Sequence, residues 1–159
     1  MLKQSAVAWT QPRAETATSD LSLQGCRVLV VEDEYMLAYD LCRTLQDAGA
    51  CVLGPVESVD GAIALLKQER DIHGAVLDIN LGGQMVFPVA DALALRGVPF
   101  VFATGYQKEI VPSNYNFVTR CEKPVSMTAV ADAIGTAMFA FLDPGSRRRR
   151  LTTGSQKAP

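Results

Sequence analysis

Five residues stand out for the chemistry they could do together: Glu32, Asp33, Asp78, Thr104 and Lys123. Three carboxylates brought to one place repel one another unless a cation neutralises them. An all-oxygen set with few protein donors suits Mg²⁺, which keeps several waters and often binds a substrate phosphate. The Lys123 ammonium and the Thr104 hydroxyl would then hold the remaining phosphate oxygens. Metal, cation and hydroxyl around a carboxylate equip a site for in-line phosphoryl transfer, with Asp78 as nucleophile.

These residues need elements that carry them to one pocket. Gly74-Ala75-Val76-Leu77 is a short apolar run that ends in Asp78 and is followed by a Gly82-Gly83 turn, the pattern of a buried strand. Cys26–Val31 is a first strand ending in Glu32-Asp33-Glu34, and Pro99–Ala103 a fourth ending in Thr104-Gly105-Tyr106. Phe117–Cys121 is a fifth, followed by Glu122-Lys123-Pro124. The second, Cys51–Val56, contains Pro55 and so belongs at a sheet edge.

Helices fall between the strands. Leu37, Leu41 and Leu45 recur every four residues before Gly49; Ser58 caps a helix with Ala62, Ile63, Leu65 and Leu66 on its stripe. Val89–Arg96 is a third helix, stopped by Gly97. Ser126 caps the last, striped by Met127, Val130, Ile134, Met138 and Phe141 and ended by Asp143-Pro144-Gly145. Phe139 and Leu142 lie off that stripe and predict a second apolar face. Residues 107–116 are at best weakly helical, because Pro112, Ser113, Asn114 and Asn116 interrupt them. Alternating strands and helices predict an α/β protein: a doubly wound parallel sheet of five strands in the order 2-1-3-4-5, helices on both faces. In such sheets ligands bind outside the carboxyl ends of the strands, where all five chemical residues fall.

The 159 residues suit one domain with tails, and the 48% apolar content is ample for a core. The chain carries −2, yet Arg147, Arg148, Arg149, Arg150 and Lys157 face no acid after residue 146, so residues 1–146 carry −7. An acidic domain argues against nucleic acid as its main ligand and fits a divalent cation. The arginine run is read as a solvated end. Cys26, Cys42, Cys51 and Cys121 form no Cys-x-x-Cys pair, and His73 has no ligand partner in sequence, so zinc is not expected. Cys26, Cys51 and Cys121 lie in or beside apolar runs and are expected as buried free thiols. No apolar run reaches ~18 residues, so no membrane span is expected. The absence of a signal-peptide pattern predicts a cytoplasmic, reducing location.

The chain resembles a response-regulator receiver domain of the flavodoxin-like, CheY-like fold from about Cys26 to Leu142. The features that carry the resemblance are Val30-Val31-Glu32-Asp33, Leu77-Asp78-Ile79-Asn80, Thr104 and Lys123-Pro124, in that order. It implies that Asp78 accepts a phosphoryl group from a histidine kinase or a histidine phosphotransfer protein in two-component signalling. It implies that Glu32, Asp33, Asp78 and the Asn80 backbone carbonyl surround Mg²⁺, that Thr104 and Lys123 bind phosphoryl oxygens, and that the Lys123–Pro124 bond is cis. Pro99-Phe-Val-Phe-Ala-Thr-Gly-Tyr106 is similar to the signature of the FAT GUY subgroup, which partners kinases of the HWE and related classes. The implied organisation is a flexible N-terminal extension (1–22), a receiver domain (23–143) and a basic disordered tail (144–159). A downstream protein target is implied and no DNA-binding domain is expected; homodimerisation is left open.

Two departures from the resemblance bear on switching. The position three residues before the lysine, usually aromatic, is Arg120. Thr104 is followed by Gly105 and Tyr106, so Thr104, Gly105, Tyr106 and Arg120 are the candidate switch residues. Two rival readings are weighed. A Mg²⁺-dependent phosphohydrolase of the haloacid-dehalogenase type also uses an aspartate nucleophile, but needs a second aspartate two residues on, where Asn80 stands. A receiver-like scaffold that never takes phosphate has no need of intact Asp78, Thr104 and Lys123.

Overall fold

The central strands bury both faces, and their residues divide by alternation. Val28, Val30, Val76, Val101 and Ala103 join one core; Leu29, Val31, Ala75, Leu77, Phe100 and Phe102 join the other. The computed structural model describes residues 22–105 and 110–142. Its main sheet is β1 (Arg27–Val31), β2 (Cys51–Val56), β3 (Gly74–Leu77), β6 (Phe100–Thr104) and β7 (Arg120–Glu122). All pairings are parallel and the order is β2-β1-β3-β6-β7, which is the predicted order 2-1-3-4-5 once an added hairpin is counted.

Helices α1 (Tyr35–Asp47) and α4 (Met127–Leu142) cover one face through Leu41, Leu45, Val130, Ile134 and Met138. Helices α2 (Val59–Gln68) and α3 (Phe87–Leu95) cover the other through Val59, Ala62, Leu66, Val89 and Leu93. Each fully buried side chain of this kind contributes about 1.5–3 kcal/mol. Ser58 and Ser126 accept the N–H groups of Gly61 and Ala129, both at 3.1 Å, and so cap α2 and α4 as the sequence predicts.

Several expectations are corrected. Asn80–Leu81 (β4) and Gln84–Met85 (β5) form an antiparallel hairpin after Asp78, with Gly82 (φ 60°) and Gly83 (φ 95°) at its turn. Both turn residues have positive φ, as tight hairpin turns demand. Helix α3 begins two residues before the expected Val89, because Pro88 is tolerated in a first turn. The last sheet strand is Arg120–Glu122 and not Phe117–Cys121: Val118 N–H bonds the Tyr115 carbonyl, extending a turn, and Phe117 is exposed. Cys51 is exposed, since it opens an edge strand; Cys26 and Cys42 are half-buried and Cys121 is buried. On α4, Met127 and Phe141 are only half-buried, while Phe139 and Leu142 are exposed. Within 107–116, expected to be at best weakly helical, Ser113–Tyr115 is a short 3-10 helix, and residues 107–109 lie outside the described residues. The expected helix stop at Asp143-Pro144-Gly145 lies outside the described residues.

Sheet and helix pack closely at Gly74, where β3 runs under α4. A Cβ there would stand 2.6 Å from Met138 Sδ and 3.1 Å from Ile134 Cδ1. Gly74→Ala is therefore expected to lower the urea midpoint, by about 1–3 kcal/mol of stability with an unchanged m-value.

Candidate functional site

The carboxyl ends of β1, β3, β6 and β7 meet at one edge. Val31 pairs with Leu77 and Leu77 with Phe102, so Glu32 and Asp78 emerge side by side, and Thr104 ends the neighbouring strand. The Asp78 N–H bonds the Val31 carbonyl at 2.8 Å, and the Lys123 N–H bonds the Thr104 carbonyl at 3.0 Å. These ladder bonds extend the sheet under the candidate residues themselves.

The structure brings Glu32, Asp33, Asp78 and Lys123 together. One oxygen from each of Glu32, Asp33 and Asp78 lies within 4.8 Å of the others. The Lys123 ammonium donates to Asp78 Oδ2 at 2.8 Å and to Glu32 Oε2 at 2.9 Å. Glu32 is 4% exposed and Asp78 8%, whereas Asp33 is exposed. Burial raises the Glu32 carboxyl above its ordinary value; the Lys123 hydrogen bond offsets part of this, and the Asp78 charge adds to it. Burial works against the Lys123 ammonium, but its bonds to Asp78 and Glu32 outweigh that and raise its pKa.

The remaining oxygens are tied to backbone. Glu32 Oε1 accepts the Glu34 N–H at 3.1 Å, which fixes the entry to α1. Asp78 Oδ1 accepts the Asn80 N–H at 3.1 Å, and Asn80 Oδ1 accepts the Gly83 N–H at 2.7 Å, so the hairpin is laced to Asp78. A Cβ on Gly82 would stand 3.8 Å from Asp33 Oδ2, which places that turn beside the cluster. The chemistry of the donor set, hard oxygens from three carboxylates at one solvent-facing edge, fits a divalent cation.

Thr104 is 1% exposed and Gly105 beyond it is exposed. Tyr106 lies outside the described residues. Arg120 sits opposite Phe102, and the Lys123–Pro124 bond is cis. Sequence reasoning missed Tyr115. Its buried ring stacks on Phe87 at 5.5 Å and edges onto Phe102 at 5.7 Å, and its hydroxyl bonds the Asp91 carboxylate and the Phe87 carbonyl. Burial and the Asp91 carboxylate push the phenol up to about 12. The signal was an aromatic among Val111, Phe117 and Val118, hidden by Pro112, Ser113, Asn114 and Asn116 between them. Sequence reasoning also passed over the first turn of α1, where Tyr35 and Met36 are 74% and 62% exposed and Tyr35 stacks with Tyr39 at 6.4 Å.

No protein-family model matches the chain, and no curated protein matches it. Among solved structures it is similar to SdrG from Sphingomonas melonis, at 38% identity and a TM-score of 0.61, covering 75% of this chain and 98% of that one. It is similar to a response regulator receiver protein from Sinorhizobium medicae, at 28% identity and a TM-score of 0.64, covering 76% and 99%. It shares its fold with the response regulator PhyR from Brucella abortus, at 22% identity and a TM-score of 0.67; that match covers 89% of this chain and 57% of PhyR.

The raised Glu32 carboxyl sets a pH dependence. A carboxyl with a higher pKa folded than unfolded stabilises the fold fully below the unfolded value, here 4.5, and that contribution is lost as pH rises through the raised value. The Gln isostere never ionises. In chelator, the melting temperature of Glu32→Gln minus that of the parent is therefore expected to shift in the variant's favour as pH rises from about 4 to about 7.

Proposed function

The chain belongs to the response-regulator receiver family, and from that premise we propose that it takes a phosphoryl group on Asp78 in two-component signalling. The observation that carries the reading is Lys123 bridging the buried Asp78 and Glu32, with Asp33 in the same cluster. The donor is a phosphohistidine on a histidine kinase, of the HWE class by the FAT GUY signature, or on a histidine phosphotransfer protein. An Asp78 oxygen attacks phosphorus, the P–N bond breaks, and the histidine leaves with its electron pair, giving an acyl phosphate. Output runs through a downstream protein target or by drawing phosphate off a kinase.

Glu32, Asp33, Asp78 and the Asn80 carbonyl would hold Mg²⁺, which when bound supplies charge to offset the carboxylates and the incoming phosphate. Lys123 then has phosphoryl oxygens to bind in place of the carboxylates it now pairs, and Thr104 is the hydroxyl donor from the neighbouring strand. SdrG has been solved in a BeF3-activated conformation, which supports a phosphoacceptor in this arrangement. In sequence, the proposed extension (1–22) precedes the receiver unit (23–143) and the basic tail (144–159) follows it. The chain works in the cytoplasm in this reading, and no helix among the described residues is long and apolar enough to cross a membrane.

The exposed Tyr35, Met36 and Tyr39 begin one residue after Glu34, whose N–H bonds Glu32 of the cluster, and are the face on which the histidine donor docks.

Two measurements test this reading. Incubation with Mg²⁺ and acetyl phosphate is expected to add one acid-labile phosphoryl group, and Asp78→Asn to remove it; equal labelling of the variant would overturn the assignment. Tyr35→Ala with Tyr39→Ala is expected to slow transfer from a phosphohistidine donor protein about tenfold or more while leaving acetyl-phosphate labelling unchanged, read by radiolabel transfer. Equal slowing with both donors would place these tyrosines in the fold and not on a docking face.

A further inference from the structure

The end of the sheet opposite Asp78 carries a cleft of about 420 Å³, between the last turns of α4 and the residues leading into β1, β3 and β6. Buried Ile72, Val98 and Met138 line it with half-buried Phe141, and exposed Leu142 stands at its mouth. Its volume exceeds the ~150 Å³ that admits a benzene ring. Two exposed guanidiniums, those of Arg70 and Arg96, also line it. Arg96 is held there by bonds to the Leu66, Glu69 and Arg70 carbonyls at 2.7, 2.7 and 2.9 Å. An apolar cleft with guanidiniums at its side suits an aromatic ring, whose body fills apolar space and whose π face attracts a cation.

Two stretches of this chain outside the described residues join it at this cleft. Residues 143–159 continue from Leu142, and residues 1–21 lead into Ser22, four residues before Cys26, which lines the cleft too. Charge chooses between them. Arg147–Arg150 and Lys157 are repelled by Arg70 and Arg96, and their stretch holds no aromatic residue. In residues 1–21, Lys3 and Arg13 balance Glu15 and Asp20, and Trp9, the chain's only tryptophan, follows Ala6-Val7-Ala8. Leu23 is buried and its N–H bonds the Ala48 carbonyl at 3.2 Å, which pins the attachment point. Trp9 stands thirteen positions before Ser22, a reach of up to about 43 Å at ~3.3 Å per residue. We propose that this cleft is the docking site of the chain's own N-terminal segment, with the Trp9 indole seated against Met138 and Phe141 and beside Arg70. A tether this short holds the ring at an effective concentration on the order of millimolar, so a weak contact is enough to keep it seated. The docking does not depend on chemistry at Asp78.

The test uses the full chain, whose tryptophan fluorescence comes from Trp9 alone. Leu142→Glu places a charge at the mouth of the cleft, and Phe139→Glu places one on the same helix outside it; both positions are exposed. Acrylamide is expected to quench Trp9 about threefold less in the parent and in Phe139→Glu than in Leu142→Glu, because a seated indole is shielded. In methyl NMR, Trp9→Ala is expected to move the Met138 signal, an arm that needs no change in the cleft itself. Trp9 as open to acrylamide in the parent as in a peptide of residues 1–21 would overturn the proposal. So would a shielded Trp9 whose removal leaves the Met138 methyl in place, since the ring would then sit elsewhere. Shielding that is lost on dilution, with a dimer seen by sedimentation, would give the cleft to a second copy. A Met138 signal moved by Ser substitution of Arg147–Arg150 and not by Trp9→Ala would give it to the basic tail.

Discussion

A single ammonium holds two buried carboxylates at the end of the sheet, and much of the molecule's organisation answers to that interaction. Removing charge from water is costly, and a buried ion pair is stable only when its geometry is good and its spare lone pairs are satisfied. Here the spare oxygens of Glu32 and Asp78 accept the backbone N–H groups of Glu34 and Asn80. Lys123 comes from the far edge of the sheet, 91 residues from Glu32 and 45 from Asp78 in sequence. The interaction therefore exists only if β1, β3, β6 and β7 pair in the observed register.

That register is secured from below by the two cores. Because the strands are buried on both faces, a slip by one residue would exchange the residues meant for α1 and α4 with those meant for α2 and α3. Valines and alanines line one side, while Phe100 and Phe102 weight the other. The difference in size between the layers makes such a slip expensive. The carboxyl-edge residues inherit that precision without contributing to it.

Much of this was legible in the sequence. The apolar runs ending in Glu32, Asp78 and Thr104 disclosed strand, direction and chemistry at once. Pro55 disclosed the edge, and the serines disclosed the caps. What was not legible was set by tertiary contact. The β4–β5 hairpin depends on Asn80 lacing the Gly82-Gly83 turn to Asp78, a two-residue pairing too short for periodicity to reveal. The start of β7 moved because Tyr115 is held by Phe87, Asp91 and Phe102, three partners distant in sequence. Cys51 looked apolar in its run but lies on a strand with a neighbour on one side only.

That strand, β2, has a further consequence. An unpaired strand edge offers its backbone to any extended chain that drifts past. Along β2 the offer is broken: Gly54 takes φ 97°, Pro55 has no N–H, and the pairing with β1 shifts register between Leu29 and Val31. A visiting strand would lose both a donor and a straight template midway along its length. This flank is thus a poor template for strand-to-strand association between copies, and among the described residues the helix faces and the three-residue β7 flank are the better surfaces for self-assembly.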